Sequence, residues 1–547
     1  MPVLKIYFSR LEKMTGLSKE MALDRLPYLG LDIEGTDAES VRIEYNPNRP
    51  DFSSDYGIAR ALRGLVGKES GVPPYRATRG KKQVFADRSL AKVRPFIACA
   101  AARKVRLDEE TIRQLISMQE DLHNGLGRKR RKLAIGLHDL NQIAFPVYYS
   151  AKDESFAFTP LGSEHDMTIS EVLKKTETGL AYGHILEDTK AYPMLYDSKG
   201  VVLSFPPIIN GQRTRVDTST RDLFIDITST DARLGNEALA IVCCALADAG
   251  ATIETVTTNY SKSNHVSTPD LSPTKMKFES ELTQRLTGLM LTKKEMNGAL
   301  RRSRLDLDAK GLAVIPCYRV DILHPVDLAE EVVIGYGLDK MTPSYPPSGD
   351  AGQLDSRLTA VEALCMTMAE AGFVETMNFD LVDEALLYRN FGRNSDLKLE
   401  VDNPRTVEHS ILRDSLLPSL MGVLSRNTKN EYPQRVYEAG KVFKRSGSGS
   451  TIAESISIAA LSGHSSSSFT EAKMYLEALV KKHFGEEAET RPAAHWAFAE
   501  GRCAEAVFKG MSVGYLGEVK PSALAAFGLD VPVCGFELSL SKKNPQA

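Results

Sequence analysis

Between Pro343 and Gly349 the chain reads Pro-Ser-Tyr-Pro-Pro-Ser-Gly, and no helix or central strand can run through it. Proline lacks a backbone N–H and biases the residue before it away from the helical conformation. In a chain of 547 residues, too long for one hydrophobic core, this break is the clearest place to divide the molecule. About three to five domains are expected.

On both sides of the break, strand-like and helix-like periods alternate, so the expected class is multidomain α+β. Strands at 3–8 and 40–45 flank a helix at 18–26. A Pro-rich turn at 46–51 then leads to a helix at 54–66 capped by Asp51 or Ser53. A helix at 108–125 precedes the run Arg128-Lys129-Arg130-Arg131-Lys132. Strands at 133–137, 201–205 and 223–228 follow, then a helix at 237–250. Helices at 283–289 and 292–302 lead to a strand at 313–322 and a helix at 327–334. Beyond the break come a helix at 354–372, strands at 397–401, 435–437 and 456–461, and Gly/Ser loops at 446–450 and 462–468.

A net charge of −3 argues against nucleic-acid binding through bulk charge, so any RNA contact has to be local. The five-cation run is the local candidate, either a solvated loop or a phosphate contact. No stretch is apolar for long enough to span a membrane, and the first residues do not resemble a secretory signal. The seven cysteines show no Cys-x-x-Cys spacing, as expected of free thiols in a reducing cytosol.

Four carboxylates lie just before the break, at Asp321, Asp327, Glu330 and Glu331. Asp321 is expected to close a strand. Asp327, Glu330 and Glu331 stand at i, i+3 and i+4, on one helical face. Two readings stand. Gathered carboxylate oxygens suit a hard cation such as Mg²⁺. Alternatively, Asp327 is an N-cap and Glu330 the N3 partner of a capping box.

The run YRVDILHPVDLAEEVVIGYG at 318–337 resembles the B5-domain signature in the beta chain of phenylalanine–tRNA ligases of the archaeal and eukaryotic cytosolic type. NRPDFSSDYGIARALRG at 48–64 is similar to the B1 domain of that family. Segments 201–211 and 218–228 are similar to its B3/B4 editing domain. Asp402-Asn403-Pro404, residues 412–418 and Tyr437-Glu438-Ala439-Gly440 resemble its catalytic-like domain, which has the antiparallel class II synthetase fold. The resemblance implies four domains: B1 at 1–84, B3/B4 at 85–265, B5 at 270–346 and the catalytic-like domain at 350–547.

The resemblance also implies an α₂β₂ heterotetramer in the cytoplasm that joins phenylalanine to tRNA(Phe) with ATP and Mg²⁺. Asp321, Asp327, Glu330 and Glu331 would hold Mg²⁺ together with the alpha chain. The late glycine-rich arginine motif of class II enzymes is absent here, which places adenylation on that alpha chain. Leu195, Ser204, Asn210, Asp226 and Thr228 would form an editing pocket for mischarged tyrosine. A site built for phenylalanine rejects an added hydroxyl weakly, so a second site that hydrogen-bonds the phenol has a purpose. His165 and His184 have no Ser or Cys partner by spacing, so hydrolysis by a positioned water is expected. The alternative is a non-catalytic scaffold subunit whose editing site is inactive. A free-standing hydrolase would have no use for an inactive synthetase-like domain.

Overall fold

The computed structural model describes residues 2–261, 263–345, 349, 351–396, 398–445 and 451–540, the side chains of His483 and Phe484 excepted. Pro346, Pro347 and Ser348 of the break, Leu397 of an expected strand and the 446–450 loop lie outside the described residues. The chain forms two compact units, Met1–Ser344 and Tyr345–Ala547.

Three main sheets organise the first unit. Val3–Tyr7, Ser40–Glu44 and Asp32–Thr36 make a small antiparallel sheet. Its neighbouring helix Asp55–Leu65 is capped by Ser54, whose hydroxyl accepts from Gly57 N. Neither Asp51 nor Ser53 does this; Asp51 is instead held by Arg49 through bonds of 2.9 and 3.0 Å. A ten-stranded sheet follows. One end of its strand order is Ile209–Asn210, Val202–Phe205 and Tyr192–Tyr196, and the other is Phe96–Arg103, Leu223–Ser229 and Leu133–Asp139. Leu223–Ser229 is buried along its whole length, between two antiparallel neighbours. Its Leu223, Ile225 and Ile227 pack with the helix Ala232–Asp248, while Phe224 joins the core on the other face. That helix begins earlier than its apolar pattern suggests, because Asp231 caps it through Arg233 N and Leu234 N.

The third sheet pairs Thr274–Lys277, Leu312–Ile315 and Asp306–Leu307. The strand expected at 313–322 stops at Ile315, where Pro316 cannot continue a ladder. Asp321 therefore lies in a loop. The helix after it is Pro325–Tyr336, and its N-cap is His324. Asp327 occupies N3 and accepts from Leu323 N and His324 N, both at 2.8 Å. The capping box is real but shifted, and Glu330 is not part of it. Buried Arg60 ties the unit together: it donates to Asp248 at 2.7 Å and to the Tyr75 hydroxyl at 3.0 Å, and lies 3.7 Å from the Tyr318 ring centroid.

The second unit is built on a seven-stranded sheet, ordered Val374–Glu375, Gln434–Arg445, Ile452–Gly463, Val533–Ser539, Met511–Val519, Phe498–Phe508 and Glu489–Pro492. Only the first pairing is parallel. Alternate residues of Ile452–Gly463 enter two cores: Ala459 and Leu461 one, Ile458 and Ala460 the other. Its hairpin partner Gln434–Arg445 is far longer than the strand expected at 435–437, because the outer halves of both strands, mostly exposed apart from residues such as Val442, stay paired throughout. Among the described residues, no helix is long and apolar enough to cross a membrane.

Candidate functional site

The strand order places Val202–Phe205 and Leu223–Ser229 toward opposite ends of the large sheet, yet both line one cavity of about 240 Å³. The sheet therefore curls until its ends approach each other, as twisted sheets do. Ser204 and Asn210 enter from one end, where they are register partners; Asp226 enters from the other. Leu195 and Thr228 do not line the cavity. Leu195 is fully buried in the core with Val84, Leu203 and Phe224. Thr228 is turned to Arg94, whose Nε donates to its hydroxyl at 3.0 Å.

The helix Glu109–Asn124 forms another wall with Ile116, Gln119, Glu120 and His123. These positions are i, i+3, i+4 and i+7, one helical face. Ile135 N donates to His123 Nε2 at 2.8 Å, which leaves Nδ1 to donate to Glu120 at 3.2 Å. Burial lowers the His123 pKa, so the ring is held neutral. Burial alone would push the Glu120 carboxyl up, but the bonds from His123 and Arg130 outweigh it and bring it down to about 2. The cavity thus holds a fixed anion beside a fixed neutral imidazole.

Arg130 comes from the basic run. Arg128, Lys129 and Arg130 have φ of 47°, 55° and 64°, three successive left-handed residues without a glycine, which costs about 1–2 kcal/mol each. Arg94, buried and without a carboxylate partner among the described residues, clamps this turn by donating to the carbonyls of Arg130 (3.0 Å) and Arg131 (3.4 Å). Burial lowers its pKa to about 10. The turn delivers the Arg130 side chain inward, to Glu120 at 2.6 Å and to the carbonyls of Pro207 and Ile208. Arg128, Lys129, Arg131 and Lys132 stay exposed.

Three buried polar atoms of cavity-lining residues have no partner among the described residues: Ser204 Oγ, Thr178 Oγ1 and Arg130 Nε. Buried polar atoms are nearly always paired, so three orphans on residues that line one cavity fit a polar ligand held there. Asp226 also lines the cavity, with Oδ2 at 2.8 Å from His138 Nε2. His138, Glu120, His123 and Thr178 are not among the site residues expected from the sequence, and Arg130 is expected there only as one of the five cations offered to phosphate. The helical stripe 116-119-120-123 was the one available signal; the others meet only through pairings such as Asp226 with Gly136. An adjoining cavity of about 440 Å³ shares Ile116, Gln119, Leu161 and Asn210 with the first.

The four carboxylates form a second candidate site. Arg319, buried, donates to both oxygens of Asp321, at 2.9 and 2.7 Å, and to Glu331. Burial pushes the Asp321 carboxyl up, but Arg319 overrides it and holds the group below its usual range. Glu330 is raised, by burial and then by the charges of Glu331 and Asp327. Among the described residues no three His, Cys, Asp or Glu side chains converge closely enough to hold a metal ion by themselves.

The chain matches family models described as "tRNA synthetase B5 domain" over residues 276–338 and "Phenylalanyl tRNA synthetase beta chain CLM domain" over residues 341–540. It is 40% identical to a phenylalanine–tRNA ligase beta subunit of Archaeoglobus fulgidus, covering 99% of this chain and 98% of that one. A beta subunit of Methanococcoides burtonii is 36% identical, over 99% and 100% of the two chains. Among solved structures, an N-terminal fragment of the phenylalanyl-tRNA synthetase beta subunit from Pyrococcus horikoshii superimposes with a TM-score of 0.59 at 35% identity, covering 61% of this chain and 99% of the fragment. Similarity of this extent, running the full length and into the cavity-bearing unit, places the chain in the phenylalanine–tRNA ligase beta-subunit family.

Proposed function

We propose that this chain is the beta subunit of a phenylalanine–tRNA ligase. With an alpha chain it attaches phenylalanine to tRNA(Phe) using ATP, and in its own first unit it hydrolyses tyrosine mischarged onto that tRNA. In this reading, adenylation belongs to the alpha chain. Support comes from the second unit, where Arg413 and Glu438 are committed to each other at 2.6 Å. A Cβ at Gly440 would meet the Arg413 guanidinium at 2.5 Å. These side chains pack the sheet instead of facing a nucleotide.

The observation that carries the hydrolytic half is the set of unpaired atoms around the 240 Å³ cavity, beside Asp226 and ionised Glu120. A phenol hydroxyl can satisfy such atoms; a phenyl ring leaves them unpaired, at about 1–3 kcal/mol for each. Water attacks the ester carbonyl carbon and the bond to the ribose oxygen breaks. One water proton goes to that oxygen, leaving free tyrosine and uncharged tRNA. Arg128, Lys129, Arg131 and Lys132, exposed on the turn that sends Arg130 into the cavity, would contact the tRNA phosphates.

Asp327 and Glu330, with Asp321 and Glu331 bonded to Arg319, would suit a Mg²⁺ ion whose remaining ligands come from the alpha chain or from water. Glu330 is raised because burial and the charges of Glu331 and Asp327 outweigh the opposing charge of Arg319, and a divalent cation would offset the remainder. When bound, the ion would supply charge that joins the two subunits.

The test is deacylation of tyrosyl-tRNA(Phe) by the purified alpha–beta complex. Asp226→Ala and Ser204→Ala should slow it about tenfold or more while phenylalanine charging continues. Wild-type rates in both variants would move hydrolysis to another site, and a complex that charges but never deacylates would leave a scaffold subunit.

A further inference from the structure

We infer that His138 is a positioning residue for the hydrolysis proposed above, acting on Asp226 with Thr214 behind it. The inference rests on that reading of the cavity. His138 Nε2 lies 2.8 Å from Asp226 Oδ2, and His138 Nδ1 lies 2.8 Å from Thr214 Oγ1. All three residues are buried, His138 and Thr214 completely. A carboxylate only accepts, so Nε2 carries the hydrogen. In the neutral imidazole Nδ1 is then a lone pair, and the Thr214 hydroxyl donates to it. Every bond in the row runs the same way, from hydroxyl to imidazole to carboxylate.

That direction fixes the ring tautomer and plane, and through them the rotamer of Asp226. Oδ2 is committed to the imidazole, which leaves Oδ1 to address whatever enters the cavity. The backbone is shaped around the pair. Gly136 stands directly opposite Asp226 in the ladder, and a Cβ there would come within 2.2 Å of Oδ2 and 2.6 Å of His138 Nε2. Asp226 lines the 240 Å³ cavity and Thr214 the adjoining 440 Å³ one, while His138 lines neither. The imidazole is therefore the link between two cavity walls and touches no ligand. It acts through Asp226.

The test uses the alpha–beta complex and tyrosyl-tRNA(Phe), with single-turnover deacylation measured over a range of complex concentrations. His138→Leu should lower the maximal rate constant by about tenfold or more, with the half-saturating concentration little changed. His138→Gln, whose amide can restore a donor to Oδ2, should recover most of that rate. Combining His138→Leu with Asp226→Asn should be no slower than Asp226→Asn alone, because both act through one carboxylate. Thr214→Val should give a smaller loss in the same constant. Assembly with the alpha chain, read by gel filtration, is the fold control; should His138→Leu fail it, the Gln and Val variants carry the comparison. Additive losses in the double variant, no rescue by Gln, or a wild-type rate in His138→Leu while Asp226→Asn is slow would each overturn the positioning role and leave the hydrolytic reading standing. A wild-type complex that does not deacylate overturns both.

Discussion

Gly136 shapes the cavity floor through what it lacks. Asp226 across the ladder and His138 two residues along the same strand occupy the volume a side chain would fill, so Gly136→Ala has to displace the Asp226–His138 pair. We expect overpacking to cost about 1–3 kcal/mol of stability. Deacylation should fall about a hundredfold, as for a catalytic group misplaced by about 1 Å. Melting curves and single-turnover rates measure the two effects separately; an Ala variant with normal deacylation would show that the pair can shift without consequence. Thr228 makes a different prediction. Its hydroxyl receives Arg94 Nε, so Thr228→Val orphans a buried guanidinium donor at about 1–3 kcal/mol and loosens the clamp on the left-handed turn. Thr228→Ser keeps the acceptor and should behave like the wild type. If Thr228 bound substrate directly, the Val variant would instead raise the half-saturating tRNA concentration at unchanged stability. Resemblance brought Thr228 forward from the sequence, but its partner was out of view. Arg94 and Thr228 are 134 residues apart, and no local period links them. Asp226 and His138 are separated by 88.

Helices were the more legible elements, and their ends the less so. The helix Glu109–Asn124 was evident from its period, and its cavity stripe at 116, 119, 120 and 123 could have been read with it. What hid the stripe is that Gln, Glu and His on one face look like a solvated surface until a sheet closes over them. Pro325–Tyr336 shows the same limit at its start, where His324 and not Asp327 is the cap. Its two adjacent glutamates now make opposite predictions. Glu331 is buried and bonded to Arg319, so Glu331→Gln should destabilise the chain by about 3–5 kcal/mol, the usual cost of breaking a buried pair. Glu330 lies on the surface of the helix, and its carboxyl is raised by partial desolvation and by the neighbouring charges of Glu331 and Asp327. A group raised on folding contributes stability that is present at low pH and lost as pH rises through its folded value. Ionised Glu330 is therefore a burden on the metal-free chain near neutrality. Glu330→Gln should raise the melting temperature of the isolated subunit at pH 7 in chelator, and should weaken assembly with the alpha chain in Mg²⁺. A variant that melts lower in chelator would refute the repulsion argument; one that assembles normally in Mg²⁺ would remove Glu330 from the proposed ion site.

At the scale of the whole molecule, the proline-rich break and the α+β character were visible in the sequence because both depend on local chemistry. The long hairpin of the second unit was not, since the outer half of each strand mixes polar and apolar residues, few of them buried, and is held largely by its pairing. The same unit carries a surface that a solitary protein would not maintain. Leu358 and Met366 on the helix Ser356–Glu370 are 55% and 66% exposed; Val374, Met377 and Phe379 just beyond it are 65%, 95% and 73% exposed. Exposed large apolar side chains this close in sequence are the candidates for an interaction face. Each contributes about 1.5–3 kcal/mol when fully covered, and the alpha chain of the proposed assembly is the occupant to test. Placing carboxylates there converts that gain into a desolvation cost. Met377→Asp together with Phe379→Asp should therefore abolish co-purification with the alpha chain at micromolar concentration, and phenylalanine charging with it. The melting temperature of the isolated subunit should hardly move, because both side chains already face water. If the doubly charged subunit assembles and charges like the wild type, the alpha chain docks on another face and this one awaits a different partner.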